Sequence, residues 1–286
     1  MKKFVAVMLA GTMALSLVAC GGNAAGTQQS EPSAQVEESV NDQESTEAVE
    51  SAQESTEESA QESTEEASEE SEEESEQAFG DVMTYAEYAE AELDSPVVIE
   101  AYVQANQAWW DGTVNVYAQD EDGAYFIYKL ACATEDDAKK LVPGTKIRVK
   151  GYKAEFSGEV EIQDGTYEIV EGDAAFVAKP LDVTDLLSSD EIIEKQNQFV
   201  SFKGMKVEKE ATYKWDGSGT QGDDLYFDVS VNGNTYTFTV ESYLCGADTE
   251  VYKAVEALKA GDVVDMEGFL YWYEGVNPHI TAVTVK

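Results

Sequence analysis

Val97-Val98-Ile99-Glu100-Ala101-Tyr102-Val103, Val114-Asn115-Val116-Tyr117, Tyr125-Phe126-Ile127-Tyr128, Lys146-Ile147-Arg148-Val149-Lys150 and Glu159-Val160-Glu161-Ile162 are five short β-rich runs. Their punctuation is as informative as the runs. Trp110-Asp111-Gly112 supplies a turn after the first, and Asp120-Glu121-Asp122-Gly123 reads as the connection of a hairpin. Between the third and fourth runs, Thr134 and Asp137 have the spacing of a helix cap, and Pro143-Gly144 stops the helix near Leu141. An earlier cap, Thr84 with Glu87, opens a helix that ends near Leu93. The order is helix, three strands, helix, two strands.

Residues 179–286 repeat it. Ser188 and Glu191 have cap spacing, and Phe199 to Val207 is the first strand. Trp215-Asp216-Gly217 repeats the tripeptide at Trp110, and Asn232-Gly233-Asn234 joins the next two strands. Asp248 reads as the cap of a helix carrying Val251, Tyr252, Val255 and Leu258 on one face. Lys150-Gly151-Tyr152 is answered by Glu267-Gly268-Phe269. The offsets are 105 residues at the tryptophans, 113 between Cys132 and Cys245, and 117 at Gly144/Gly261 and Gly151/Gly268. Such steady registration indicates duplication. A five-stranded barrel with a helix between its third and fourth strands is the OB-fold plan. The expected fold is therefore mainly β with short helices, as two tandem five-stranded OB-fold-like barrels, residues 81–178 and 179–286, after a disordered acidic tether.

The tether is read from composition. Residues 21–80 hold 19 acidic side chains and no Lys or Arg, and Gln-Glu-Ser-Thr-Glu recurs at 43, 53 and 61. With almost no apolar residue beyond Ala, no buried face offsets chain entropy, and like charges extend the chain. Lys2 and Lys3 precede an apolar stretch, Phe4 to Val18, too short to span a bilayer. Leu17-Val18-Ala19-Cys20 followed by Gly21-Gly22 resembles the bacterial lipoprotein signal. The whole chain resembles tandem OB-fold surface lipoproteins of anaerobic Gram-positive bacteria. That resemblance implies a signal peptide at 1–19, an acylated Cys20 beginning a segment that runs to 80, and membrane attachment through that lipid on the extracellular face of the cytoplasmic membrane.

Function is less legible. Residues 81–286 carry 39 acidic and 16 basic side chains, a net −23, which disfavours nucleic acid as a partner on grounds of charge. One His and three Cys leave little for a catalytic or zinc centre, and no cofactor motif is present. The chain is expected not to be an enzyme. Cys132 and Cys245, at equivalent places, read as buried and unbridged. His279 reads as an ordinary strand or loop residue. The acids of Asp120-Glu121-Asp122 and Asp223-Asp224 read as solvated turns.

Aromatic residues carry the remaining signal. Neighbouring strand residues point to opposite faces, so Phe126 and Tyr128 cannot share a side with Tyr125 and Ile127. One set leaves the barrel core or is covered by the flanking helix, and the outer rings serve as core, inter-domain contact or cap, or else as a stacking platform for a sugar ring, base or aromatic side chain. A turn needs no large ring, so Trp110 and Tyr128 in the first copy, with Trp215 and Tyr226 in the second, are the candidate ligand-binding residues. The function expected from the resemblance is a lipid-anchored, non-catalytic binding or adhesion module for a glycan, wall polymer or protein. The alternative is single-stranded oligonucleotide binding through the OB folds.

Overall fold

The first β-strand alternates as its sequence demands. In β1 (Pro96–Asn106), Val97, Ile99, Ala101 and Val103 are fully buried in one core. In the computed structural model, residues 79–286 are described, Asp173 excepted. The signal peptide, Cys20 and nearly all of the acidic segment lie outside the described residues.

Sheet A is a closed five-stranded barrel in the order β1-β2-β3-β5-β4. Its other strands are β2 (Thr113–Gln119), β3 (Ala124–Ala131), β4 (Lys146–Phe156) and β5 (Glu159–Ile169). Closure is made by a short parallel pairing that sets Phe126 opposite Glu161 and Ile127 opposite Ile162. In β4, Ile147 and Val149 point inward, while Lys146 and Arg148 point out to Glu100 on β1. The strand β5 runs past Ile162 to Ile169, longer than its apolar run, because it keeps pairing with β4 beyond the core.

The first helix, α1 (Tyr85–Glu90), has the full capping box of Thr84 and Glu87. Its last carbonyls, those of Tyr88 and Ala89, and that of Ala91 accept hydrogen bonds from the buried Lys153 ammonium, at 3.0, 2.9 and 2.8 Å. A cation at a helix C-terminus is favourably placed. Thr134 caps α2, which is a single turn, Glu135–Ala138, and ends before Leu141.

The second sheet has six strands, β6 (Leu181–Asp182), β7 (Phe199–Tyr213), β8 (Leu225–Val231), β9 (Asn234–Val240), β10 (Val263–Phe269) and β11 (His279–Val285), in the order β10-β11-β9-β8-β7-β6. It also has a β10–β7 pairing. Two expectations fail locally. The Ser188 cap spacing yields two 3-10 helices, Thr184–Ser188 and Asp190–Lys195, and it is the Ser189 side chain that caps the second. Thr249, not Asp248, caps α3 (Glu250–Glu256); its hydroxyl accepts from the Tyr252 amide, which places Val251, Tyr252 and Val255 on the core.

Each sheet has its own core, and a third cluster joins them. Tyr117 and Phe126 leave the first barrel to meet Phe269 of the second sheet. The Tyr117 and Phe269 rings are stacked at 4.2 Å and 9°. Polar contacts frame the same junction: Gln119 Oε1 accepts from the Phe199 amide at 2.9 Å, and Glu159 Oε2 accepts from the Trp272 amide at 2.9 Å. Gln196 is bonded to both Gly158 and Val160, and Asn197 donates to the Val160 carbonyl. Cys132 and Cys245 are free and buried.

Candidate functional site

A cleft of about 740 Å³ opens where the two sheets meet. Strand alternation builds its first wall. Because Tyr125 and Ile127 fill the first core, Phe126 and Tyr128 are turned outward into the cleft. The second wall comes from the loop after β7 and the strand β8, which contribute Trp215 and Tyr226. The third is the segment between β10 and β11, with Tyr271 and Tyr273. Tyr243 follows β9, and its carbonyl accepts from the Ala108 amide at 2.7 Å, tying the rim to the first barrel.

The structure brings Tyr128, Trp215 and Tyr226 into this one cleft. Trp110 lies in a smaller pocket beside it, about 150 Å³, which shares Tyr128, Tyr243, Gln107 and Asn115 with the larger one. Both tryptophans are displayed to solvent, Trp110 at 68% and Trp215 at 77% exposure. The turn explains Trp110: its amide and carbonyl pair with Thr113, and Asp111 and Gly112 take positive φ values of 46° and 80°, so the ring is held clear of the core. Around Trp215, Gly217 donates to the Lys214 carbonyl and Asp216 accepts from the Ser218 amide.

Three residues with a place in the site carry no such mark in the sequence: His279, Glu241 and Asp224, which reads there as part of a solvated turn. His279 is buried, 7% exposed, and stacks on Tyr271 at 4.3 Å and 25°. Its Nδ1 bonds the Tyr117 hydroxyl at 2.8 Å, across 162 residues of sequence. Burial pushes the imidazole down to about 3, so it is neutral at neutral pH. Glu241 lines the cleft beside Asp224. Burial first, and the Asp224 carboxylate second, push its carboxyl up to about 7, against the opposing pull of the Tyr243 and Leu244 amides. The signals available were the aromatic triplet Tyr271-Trp272-Tyr273, which the first copy lacks, and a lone His after Pro278 at the start of the last strand.

Among the described residues no group of three or more His, Cys, Asp and Glu is placed to hold a metal ion. The His279 ring is committed to Tyr117 and Tyr271 rather than to a Ser or Cys nucleophile.

No family model matches the chain, and no curated protein matches it. Solved structures do. A murine DNA-binding protein bound to double-stranded DNA is 12% identical, with 67% of this chain and 94% of that chain covered at a TM-score of 0.32. The Ifi202 HINa domain in complex with a 20-base-pair double-stranded DNA is 14% identical, with 68% and 96% covered at 0.30. A replication protein A heterotrimer bound to single-stranded DNA is 12% identical, with 65% and 49% covered at 0.29.

These findings correct the resemblance drawn from the sequence. The matching structures include DNA-bound proteins of HIN and replication protein A type, not bacterial surface lipoproteins. The lipid-anchored adhesion module, its attachment through Cys20, its extracellular address and its glycan, wall-polymer or protein ligand are not retained. Nor is the exclusion of nucleic acid by charge. The physical reason for the last is that net charge acts on phosphates, whereas an aromatic cleft acts on the faces of bases. At these TM-scores the likeness assigns no ligand to this chain.

Proposed function

We propose that this protein is a non-catalytic binder of single-stranded oligonucleotides, holding bases in the aromatic cleft while the phosphates stay outside. The observation that carries the reading is the cleft itself, in which Tyr128, Trp215, Tyr226 and Tyr271 converge from both sheets. Flat rings of this kind stack any base, at roughly 1–3 kcal/mol per base. Trp110 extends the same surface by one further stacking position. The reading includes two OB-type units, 81–178 and 179–286. It is supported by the second sheet's pairings, β7-β8-β9-β11-β10 with β10 returning to β7, which repeat the strand order of the first barrel.

Titration of tryptophan fluorescence with short DNA and RNA single strands tests it. Trp215→Ala should weaken binding by about ten- to a hundredfold, the equivalent of one lost stacking partner. Lys129, whose ammonium lies 5.2 Å from the Tyr128 ring centroid, and Lys214, next to Trp215 in sequence, are cations within reach of such phosphates. Counterion release from one or two contacts gives a slope of log K against log salt of about −1. Absence of binding to any strand, or a slope several times steeper, would refute the reading.

A further inference from the structure

The rings of the cleft do not discriminate between bases, but its polar groups do. Three carboxyl side chains, Asp224, Glu241 and Glu274, line it, Glu241 being ionised above about pH 7, and among the described residues no Lys or Arg does. The Asp224 side chain is held in place: its Oδ1 accepts from both the amide and the hydroxyl of Ser242, at 2.8 and 2.6 Å, which leaves Oδ2 for a ligand. Glu241 is fixed in the same way, its Oε2 accepting from the Leu244 amide at 2.7 Å. His279, nine-tenths buried and lining the cleft, makes its one ring hydrogen bond through Nδ1, so Nε2 has no partner among the described residues. The polar lining is thus preorganised, rich in acceptors, and set beside stacking rings.

The four bases meet such a lining differently. Guanine presents two adjacent donors, N1–H and the 2-amino group, which call for two acceptor oxygens, one from each of two neighbouring carboxylates. Adenine and cytosine place an amine beside a ring lone pair. Thymine and uracil place one N–H between two carbonyl oxygens, and each lone pair facing a carboxylate oxygen is repelled. A site built for donors penalises a ligand that lacks them, because its own acceptors are then left unpaired.

We propose that Asp224 and Glu241 make the cleft selective for guanine, accepting from N1–H and the 2-amino group while the base stacks against Tyr226 and Trp215. The proposal rests on the cleft being a base-binding site. His279 Nε2 supplies a further contact to the bound ring. Asp224 and Glu241 are specificity residues, and the aromatic rings supply the affinity common to all bases.

The test uses the full chain at about pH 8, where the Glu241 carboxyl is mostly ionised, and three short single strands: thymine throughout, the same strand with one guanine, and the same strand with hypoxanthine at that position. Hypoxanthine lacks only the 2-amino donor. The guanine strand should bind about tenfold tighter than the hypoxanthine strand, a difference of about 1.4 kcal/mol. Asp224→Asn and Glu241→Gln should each reduce that preference to within about twofold and bind the all-thymine strand more tightly than the unaltered protein does, because a repelling carboxylate is removed; thermal melts check that they fold. Equal binding of all three strands by the unaltered protein overturns guanine selection and leaves the oligonucleotide reading standing. Binding of none of them overturns both.

Discussion

Glu159 is fully buried at the junction of the two sheets, and only one of its oxygens has a partner, the Trp272 amide. Burial pushes its carboxyl up to about 9, opposed by the nearby Asn197 side chain and by the Trp272 amide. Its ordinary value of 4.5 applies in the unfolded chain, so between about pH 4.5 and 9 the folded state holds the extra proton. Its stabilising contribution is complete below the unfolded value and is lost as pH rises toward the folded one, at about 1.4 kcal/mol per pH unit. Glu159→Gln keeps the acceptor for Trp272 and removes the titration. The variant should melt higher than the parent at pH 8 and nearly level with it at pH 5, as thermal unfolding across that range would reveal. The tryptophans make the opposite case. Exposed at 68% and 77%, Trp110 and Trp215 contribute little to stability, and Ala at either position should shift unfolding by less than about 0.5 kcal/mol. A core tryptophan would cost about 3–5 kcal/mol in the same melt.

At the scale of the element, the matched glycines explain themselves. Gly151 and Gly268 sit in the fourth strand of each copy, next to a shift in pairing register. A Cβ on Gly268 would lie 2.2 Å from the His279 carbonyl oxygen, and one on Gly151 would lie 2.6 Å from Ile162 Cγ2 and 2.8 Å from the Gln163 carbonyl oxygen. In both copies, then, glycine lets the last strand cross the fourth closely where the sheet bends. Gly268→Ala forces a backbone apart rather than a flexible side chain. It should cost about 1–3 kcal/mol or more in denaturant unfolding, and should disturb His279 at the end of the cleft. This pair was visible in the sequence as a 117-residue offset, but the offset alone carries no reason for the glycine. The reason is the distance between two strands.

At the scale of the molecule, Tyr117, Phe126 and Phe269 bury against one another between two otherwise separate cores. Burying rings of this size contributes about 1.5–3 kcal/mol each, so neither half keeps its full stability without the other. Residues 79–286 should unfold in a single transition. Phe269→Ala removes the ring stacked on Tyr117 and should cost about 3–5 kcal/mol. It should also separate calorimetric unfolding into two steps; one undivided transition in this variant would mean that the polar contacts alone couple the halves. The cleft depends on that coupling, since Tyr128 and Trp215 belong to different copies.

Local signals were enough for the elements. The capping pairs at Thr84 and Thr134, the alternation of β1 and β4, the opposite facing of Phe126 and Tyr128 to Tyr125 and Ile127, and the repeated Trp-Asp-Gly each rest on residues a few positions apart, where geometry follows from composition. The same holds for the order of strands, because the duplication displays it twice. Only the tertiary structure decided the site. Whether an outward ring meets solvent or the second sheet depends on how the two halves dock. The bond between Tyr117 and His279, the Tyr271 stack and the Asp224 carboxylate beside Glu241 join residues whose proximity no local spacing encodes. An acidic chain supplies many carboxylates, and it is burial next to a second carboxylate, a property of the folded surroundings, that sets Glu241 apart.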